Sequence, residues 1–238
     1  AYYEMYGPAG VKTLYKTQEY ARSKGMYVIT DGKRNDIGTT MEAYAAAHLG
    51  KVQVGSQTYE PFLGDALTVN GYLGSDGIKP LVATCRDNDK GIFVLVKTSN
   101  PSSGELQDKK IDGVTIYETM GHMCEEWGKE LPGVYGYSGV GAVVGATYPE
   151  QLKYLREKLP TTFFLIPGYG AQGAGAKDIA GAFDKNGLGG IVNSSRGIMC
   201  AYQKEKCDEH EFAEAARREA IRMRDEIMGI VGKISISK

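Results

Sequence analysis

The sequence predicts a parallel α/β fold and, among its forms, a (β/α)8 barrel. Three observations point there. Short apolar runs alternate with amphipathic segments along the chain, the βαβ pattern of a parallel sheet with covering helices. Nearly every apolar run ends in a polar or Gly/Pro cluster. A barrel gathers all such C-terminal strand ends at one mouth, whereas a doubly wound sheet joins only those at its switch point. No Gly-x-Gly-x-x-Gly follows the first full strand, which counts against a dinucleotide fold.

The strands are expected at Met26–Thr30, Ala66–Asn70, Ile92–Thr98, Gly141–Ala146, Thr162–Ile166 and Gly190–Asn193. Each is short, rich in Val, Ile, Leu or Phe, and lacks polar alternation, as befits strands buried on both faces. Helices are expected at Gly10–Lys24, Thr39–Leu49, Asp76–Asp87, Ile111–Leu131, Pro149–Leu159, Ala174–Phe183 and Asp208–Ile230. Pro149 stands where a first helical turn tolerates proline. A barrel needs eight strands. Residues Ala1–Tyr6 are read as the tail of another strand, so the expectation is one domain over residues 1–238 that lacks its first strand and part of its second.

Composition narrows the function. The chain of 238 residues has 28 basic and 29 acidic side chains, and this balance gives no support to a nucleic-acid or membrane-surface role. No apolar run reaches membrane-spanning length. Cys85, Cys124, Cys200 and Cys207 show no metal-binding spacing and read as free thiols of a reducing cytoplasm. His48, His122 and His210 lie in helical segments, away from strand ends. No Gly-x-Ser-x-Gly, His-Glu-x-x-His or Walker pattern occurs. What remains is chemistry built on Lys, Asp and phosphate-gripping groups.

Three stretches could carry it. The first is Asp31-Gly-Lys-Arg-Asn-Asp36, at the end of the first strand. Residues two apart on a strand share a face, so Asp31 and Lys33 should project together, with Asp36 in the loop that follows. Two carboxylates around an ammonium are either a structural ion-pair network or a catalytic cluster. The second stretch is Pro167-Gly-Tyr-Gly-Ala-Gln-Gly-Ala-Gly175, a Gly-rich loop whose N–H groups, leading into the helix from Ala174, can cradle a phosphate. The third is Asn193-Ser-Ser-Arg-Gly197, where Arg196 can grip a phosphate dianion. In many barrels the phosphate site is built from the last two strand ends, where these two stretches fall. A tight turn and a structural ion pair are the competing readings. Ser99, at the mouth end of its strand, can hydrogen-bond a polar heterocycle or simply face solvent.

Taken together, these motifs resemble the orotidine 5'-phosphate decarboxylase family. Asp31-Gly-Lys-Arg-Asn-Asp-Ile37 is similar to its Asp-x-Lys-x-x-Asp signature, Pro167-Gly-Tyr-Gly-Ala-Gln172 to its phosphate and base loop, Ser195-Arg196 to its final phosphate arginine, and Ser99 to its base-contacting serine. Tyr6-Gly-Pro-Ala-Gly10 and Lys97-Thr-Ser-Asn-Pro-Ser-Ser103 resemble its longer bacterial branch, and the likeness runs along nearly the whole chain. The first motif alone is shared with sugar-phosphate lyases of the same superfamily, which typically use Mg²⁺.

The resemblance implies a (β/α)8 barrel that converts orotidine 5'-monophosphate to uridine 5'-monophosphate (UMP) and carbon dioxide, without metal or organic cofactor. It implies a homodimer with shared active sites, in which Asp36 is donated across the interface with Ile37 and Thr40 alongside. Lys33 matches the proton donor, and Asp31 the carboxylate packed near the substrate's own. Pro167, Gln172, Ser195 and Arg196 match groups around the phosphate. Two family residues have no counterpart: an upstream Lys, whose place would fall just before Ala1, and an earlier Asp that holds the ribose. Ser195-Arg196 stands where many members have Gly-Arg.

Overall fold

The computed structural model describes residues 1–170, 174–232 and 234. It divides into two compact units, Ala1–Leu95 with Met123–Gly141, and Val96–His122 with Ala142–Lys238.

The first unit opens with a 3-10 turn, Glu4–Tyr6, that runs into α1, Gly7–Ser23. Residues Ala1–Tyr6 are therefore no strand tail. Pro8, in the first turn of α1, is preset for a helix start, and Gly10 leaves room for the Tyr3 carbonyl, which a Cβ there would overlap. Strand β1, Ile29–Arg34, starts later than expected and carries Asp31 and Lys33 within it. Helix α2, Gly38–Leu49, leads to a small hairpin, Val52–Val54 with Gln57–Tyr59, that the apolar pattern did not disclose. Then come β2, Ala66–Val69, α3, Ser75–Asn88, and β3, Gly91–Lys97.

Strands β1, β2 and β3 pair in parallel in chain order. All four residues of β2 are buried, as expected of a strand covered on both faces. Helices α2 and α3 pack together, and Met41, Ala45, Leu49, Ile78, Leu81 and Cys85 join Leu67 and Val69 in the core. Each large apolar side chain buried this way contributes about 1.5–3 kcal/mol. Trp127, which belongs to this unit, is buried and donates its indole N–H to Ser75 Oγ at 3.0 Å.

In the second unit Lys110–Ile111 and Val114–Thr115 form a hairpin around Asp112 and Gly113, both with positive φ. An Asp-Gly pair favours such a turn. It takes the first residues of the helix expected from Ile111, and α4 spans Ile116–Gly128. The remaining elements are β4, Ser138–Val144; α5, Pro149–Lys158; β5, Thr162–Ile166; α6, Ala176–Ile179; β6, Gly190–Val192; α7, Ser195–Met199; α8, Ala201–Glu205; and α9, Phe212–Val231. Strands β5 and β6 pair in parallel, Gly190 opposite Phe164 and Val192 opposite Ile166. Leu152, Leu155, Leu159, Phe164 and Ile166 form the core, while α9 packs on α6, α7 and α8. Among the described residues no helix is long and apolar enough to cross a membrane.

Candidate active site

The first unit holds the charged motif. Lys33 Nζ donates to Asp31 Oδ1 at 2.6 Å, so the two side chains do project together. Simple strand alternation does not bring this about. The pairing of β1 with β2 slips between Thr30 and Arg34, and Lys33 has φ +47°. A lysine in the left-handed region costs roughly 1–2 kcal/mol. Thr68, on β2, holds this bulge from both sides. Its Oγ1 accepts the Lys33 backbone N–H at 3.0 Å and donates to Asp31 Oδ1 at 2.8 Å.

The cluster is also open to solvent. The side chains of Lys33 and Asp31 are 51% and 66% exposed. An exposed ion pair contributes about 0–1 kcal/mol, which does not offset the backbone strain. The arrangement is thus not explained by stability. Partial burial raises the Asp31 carboxyl, but the hydrogen bonds from Lys33 and Thr68 and the nearby ammonium outweigh it. The group therefore stays below the usual carboxylate range and is ionised at neutral pH.

Asp36 follows β1. Its Oδ1 accepts the N–H of Ile37 at 2.9 Å, and it carries no ion pair among the described residues. Its backbone is closely packed, since a Cβ on Gly77 of α3 would stand 2.8 Å from the Asp36 carbonyl oxygen. Ile37 and Thr40, at the start of α2, are exposed. Arg34 turns to Glu4 and lies over the Tyr44 ring, away from the Asp31–Lys33 pair.

The second unit holds the other motifs. Ser99 follows β3 and accepts, at its carbonyl, the Thr147 hydroxyl at 3.2 Å. Gly145 makes this approach possible, because a Cβ there would lie 2.7 Å from the Ser99 Cβ and 2.9 Å from its backbone. The Pro167 carbonyl accepts the N–H of Ala146 at 2.8 Å. The Gly-rich segment is closed at its base by Gly170 N–H donating to the Ala174 carbonyl at 2.8 Å. Gln172 lies outside the described residues. The helix expected from Ala174 is the four-residue α6 followed by a 3-10 turn, Ala180–Ala182.

Ser195 and Arg196 were expected at a strand end, but they form the first turn of the short helix α7, both exposed. Arg196 has no ion pair among the described residues. Ser194, just before α7, is buried and donates its hydroxyl to the Tyr169 carbonyl at 2.9 Å, which ties the Gly-rich segment to the arginine's helix. Thr68, Gly145, Tyr169 and Ser194 were not singled out as site residues from the sequence. A threonine inside an apolar strand and a glycine facing a turn serine were the available signals.

The family model "Orotidine 5'-phosphate decarboxylase / HUMPS family" matches residues 2–208. The chain belongs to this family. It is 47% identical over 233 residues to the orotidine 5'-phosphate decarboxylase of Rhodopirellula baltica, covering 96% of this chain and 76% of that protein. The corresponding Clostridium perfringens protein is 45% identical over 228 residues, covering 95% of this chain and 76% of its own length. Among solved structures, the OMP decarboxylase of Leishmania donovani superposes with a TM-score of 0.74 at 30% identity, over 95% of this chain and 78% of that one. The fold class is thus that of the decarboxylase family, a (β/α)8 barrel, as the motifs implied.

Proposed function

We propose that the chain acts as an orotidine 5'-phosphate decarboxylase in pyrimidine biosynthesis, without metal or organic cofactor. The observation that carries the proposal is the Asp31–Lys33 pair, held in a strained bulge although exposed. Strain retained with no gain in stability is expected where geometry serves chemistry. Membership of the family supplies the substrate.

Breaking the bond between the pyrimidine ring and its carboxylate releases carbon dioxide and leaves the electron pair on the ring carbon. A fixed ammonium at Lys33 gains most as that negative charge develops, because the interaction is stronger in the transition state than in the ground state. Lys33 then gives a proton from Nζ to the same carbon and regains one from solvent. Asp31 fixes the ammonium through their 2.6 Å contact. Its negative charge also opposes the substrate carboxylate in the ground state.

Ser99 takes a hydrogen bond from, or gives one to, the pyrimidine. Pro167, Gln172, Ser195 and Arg196 surround the phosphate, whose binding energy holds the ring in place although no bond changes there. Asp36, Ile37 and Thr40 complete the site across a homodimer interface. The exposure of Ile37 and Thr40 in the single chain supports that reading. Four free cysteines, two of them buried, support a reducing cytoplasmic setting.

The test is ultraviolet detection of orotidine 5'-monophosphate loss by the protein carrying this sequence, in the presence of a chelator. Stoichiometric appearance of UMP is the expected result. Turnover only on a sugar phosphate, and only with Mg²⁺, would move the protein to the lyase side of its superfamily.

A further inference from the structure

Tyr169 stands in the middle of the Gly-rich segment, yet its side chain takes no part in the chemistry described above. It is 3% exposed. Its hydroxyl donates to Glu226 Oε2 of α9 at 2.8 Å, and the same oxygen accepts Arg222 Nη1 at 2.7 Å. Arg222 in turn grips Glu219 with two hydrogen bonds of 2.7 Å. At the backbone, the Tyr169 carbonyl accepts the Ser194 hydroxyl, and Tyr169 bridges to Ala174 across the base of the segment. One residue thereby ties the segment to the C-terminal helix and to the start of α7, where Arg196 sits.

Core packing explains the ring but not the hydroxyl. Phenylalanine would fill the same volume without a polar group that must find a partner. The partner chosen is a carboxylate already engaged by an arginine, so the bond is charge-assisted and directional. Titration fits the geometry from both sides. Burial and the bond to Glu226 push the Tyr169 phenol up to about 12, and the Tyr169 and Arg222 bonds hold the Glu226 carboxyl below its ordinary value. The phenol therefore stays a donor and the carboxylate an acceptor through the whole neutral range.

We propose that Tyr169 and Glu226 form a positioning clamp that fixes the phosphate-gripping segments and so sets how strongly the protein prefers a 5'-phosphorylated nucleoside to the same nucleoside without phosphate. The proposal rests on the decarboxylase reading above. Tyr169 is a positioning residue here. It acts through the Ser194 bond on the helix that carries Arg196, and α9 is the strut against which that helix packs.

The experiment is calorimetric titration of the intact protein and its Tyr169→Phe variant with UMP and, separately, with uridine, alongside steady-state kinetics. Losing one charge-assisted bond should weaken UMP by about tenfold, leave uridine within about twofold, and raise KM more than it lowers kcat. Glu226→Ala, at a side chain that is 42% exposed, should have the same selective effect and covers the case in which Tyr169→Phe folds poorly. The double variant should be little worse than either single one, as residues in one network are not additive. Equal loss for UMP and uridine, or unchanged UMP binding in both single variants, would overturn the clamp. A parent protein that does not distinguish UMP from uridine would instead overturn the decarboxylase reading, and the clamp with it.

Discussion

At β1 a strained lysine is held by side chains, whereas the described residues between 167 and 196 are held mostly by backbone groups. Thr68 supplies both bonds that fix the β1 bulge, one to the Lys33 backbone and one to Asp31. Pro167–Gly170 and Ala174 are pinned by the Ala146–Pro167 and Gly170–Ala174 backbone bonds, with Ser194 and Glu226 added through Tyr169. The first arrangement has a single keystone, and the second spreads its support over several. Sensitivity to substitution should differ accordingly. A change near β1 should act on turnover, and a change near the loop should act on affinity and by less.

The largest break in this comparison is Asp31→Asn. It keeps an acceptor for the Thr68 hydroxyl but removes the charge that holds the Lys33 ammonium, and kcat should fall by about 10³-fold with UMP affinity little changed. Pre-steady-state and equilibrium measurements on one preparation would show whether that split holds. Next is Thr68→Val, which preserves volume and leaves both the Lys33 N–H and the Asp31 carboxylate short of a partner. We expect a loss of about 10–100-fold in kcat, from the roughly 1–3 kcal/mol lost with each unmet bond, and recovery of most of it in Thr68→Ser. Equal kcat in the valine variant would remove Thr68 from its keystone role.

Gly145→Ala probes the other region. The added Cβ would collide with the Ser99 backbone, so Ser99 must shift. KM should rise about tenfold while kcat falls less, as expected when groups that bind ground and transition states alike are disturbed. A fall in kcat alone would argue that Ser99 works on the reacting carbon.

The smallest expected effect on activity comes from a group outside the site, whose readout is stability against pH. His48, on α2, stacks on Phe62 and accepts Arg34 Nε at 3.5 Å, just beyond the bulge. Burial, then the Arg34 charge, push its imidazole down to about 4 from 6.5. The unfolded chain thus binds a proton below about pH 6.5 that the folded chain refuses until about pH 4. This contribution to stability is complete above pH 6.5 and declines as pH falls toward 4, by on the order of 3 kcal/mol across the window. Thermal melts between pH 7 and pH 4.5 should show that decline, and His48→Leu should flatten it. A wild-type melt that is level over the range would mean that His48 titrates normally.

The same contrast explains what could be read in advance. The βαβ order and the Asp-x-Lys-x-x-Asp cluster were legible because residue type alone carries them: buried strands need apolar runs, and charged groups at their ends are conspicuous. The bulge was not legible, since Lys33 is an ordinary residue for a strand and nothing local marks a positive φ. Alternation led to the correct neighbour for Asp31, but the slip in pairing with β2 produces it. Thr68 stayed hidden because a threonine in an apolar run reads as β-propensity. Ala1–Tyr6 read as a strand tail because its tyrosines favour strands, yet the chain folds it as a helical turn leading into α1. Arg196 was expected at a strand end, and Asn193-Ser-Ser gave no sign that a five-residue helix would present it.

The central claim is that the strained Asp31–Lys33 pair exists for proton delivery to the substrate. The most direct measurement is turnover of orotidine 5'-monophosphate by Lys33→Ala, with UMP affinity measured on the same sample. The account predicts a loss of turnover of at least about 10³-fold with affinity retained to within a few-fold. Turnover close to that of the unaltered protein would contradict it, and would leave the bulge at Lys33 without a chemical reason.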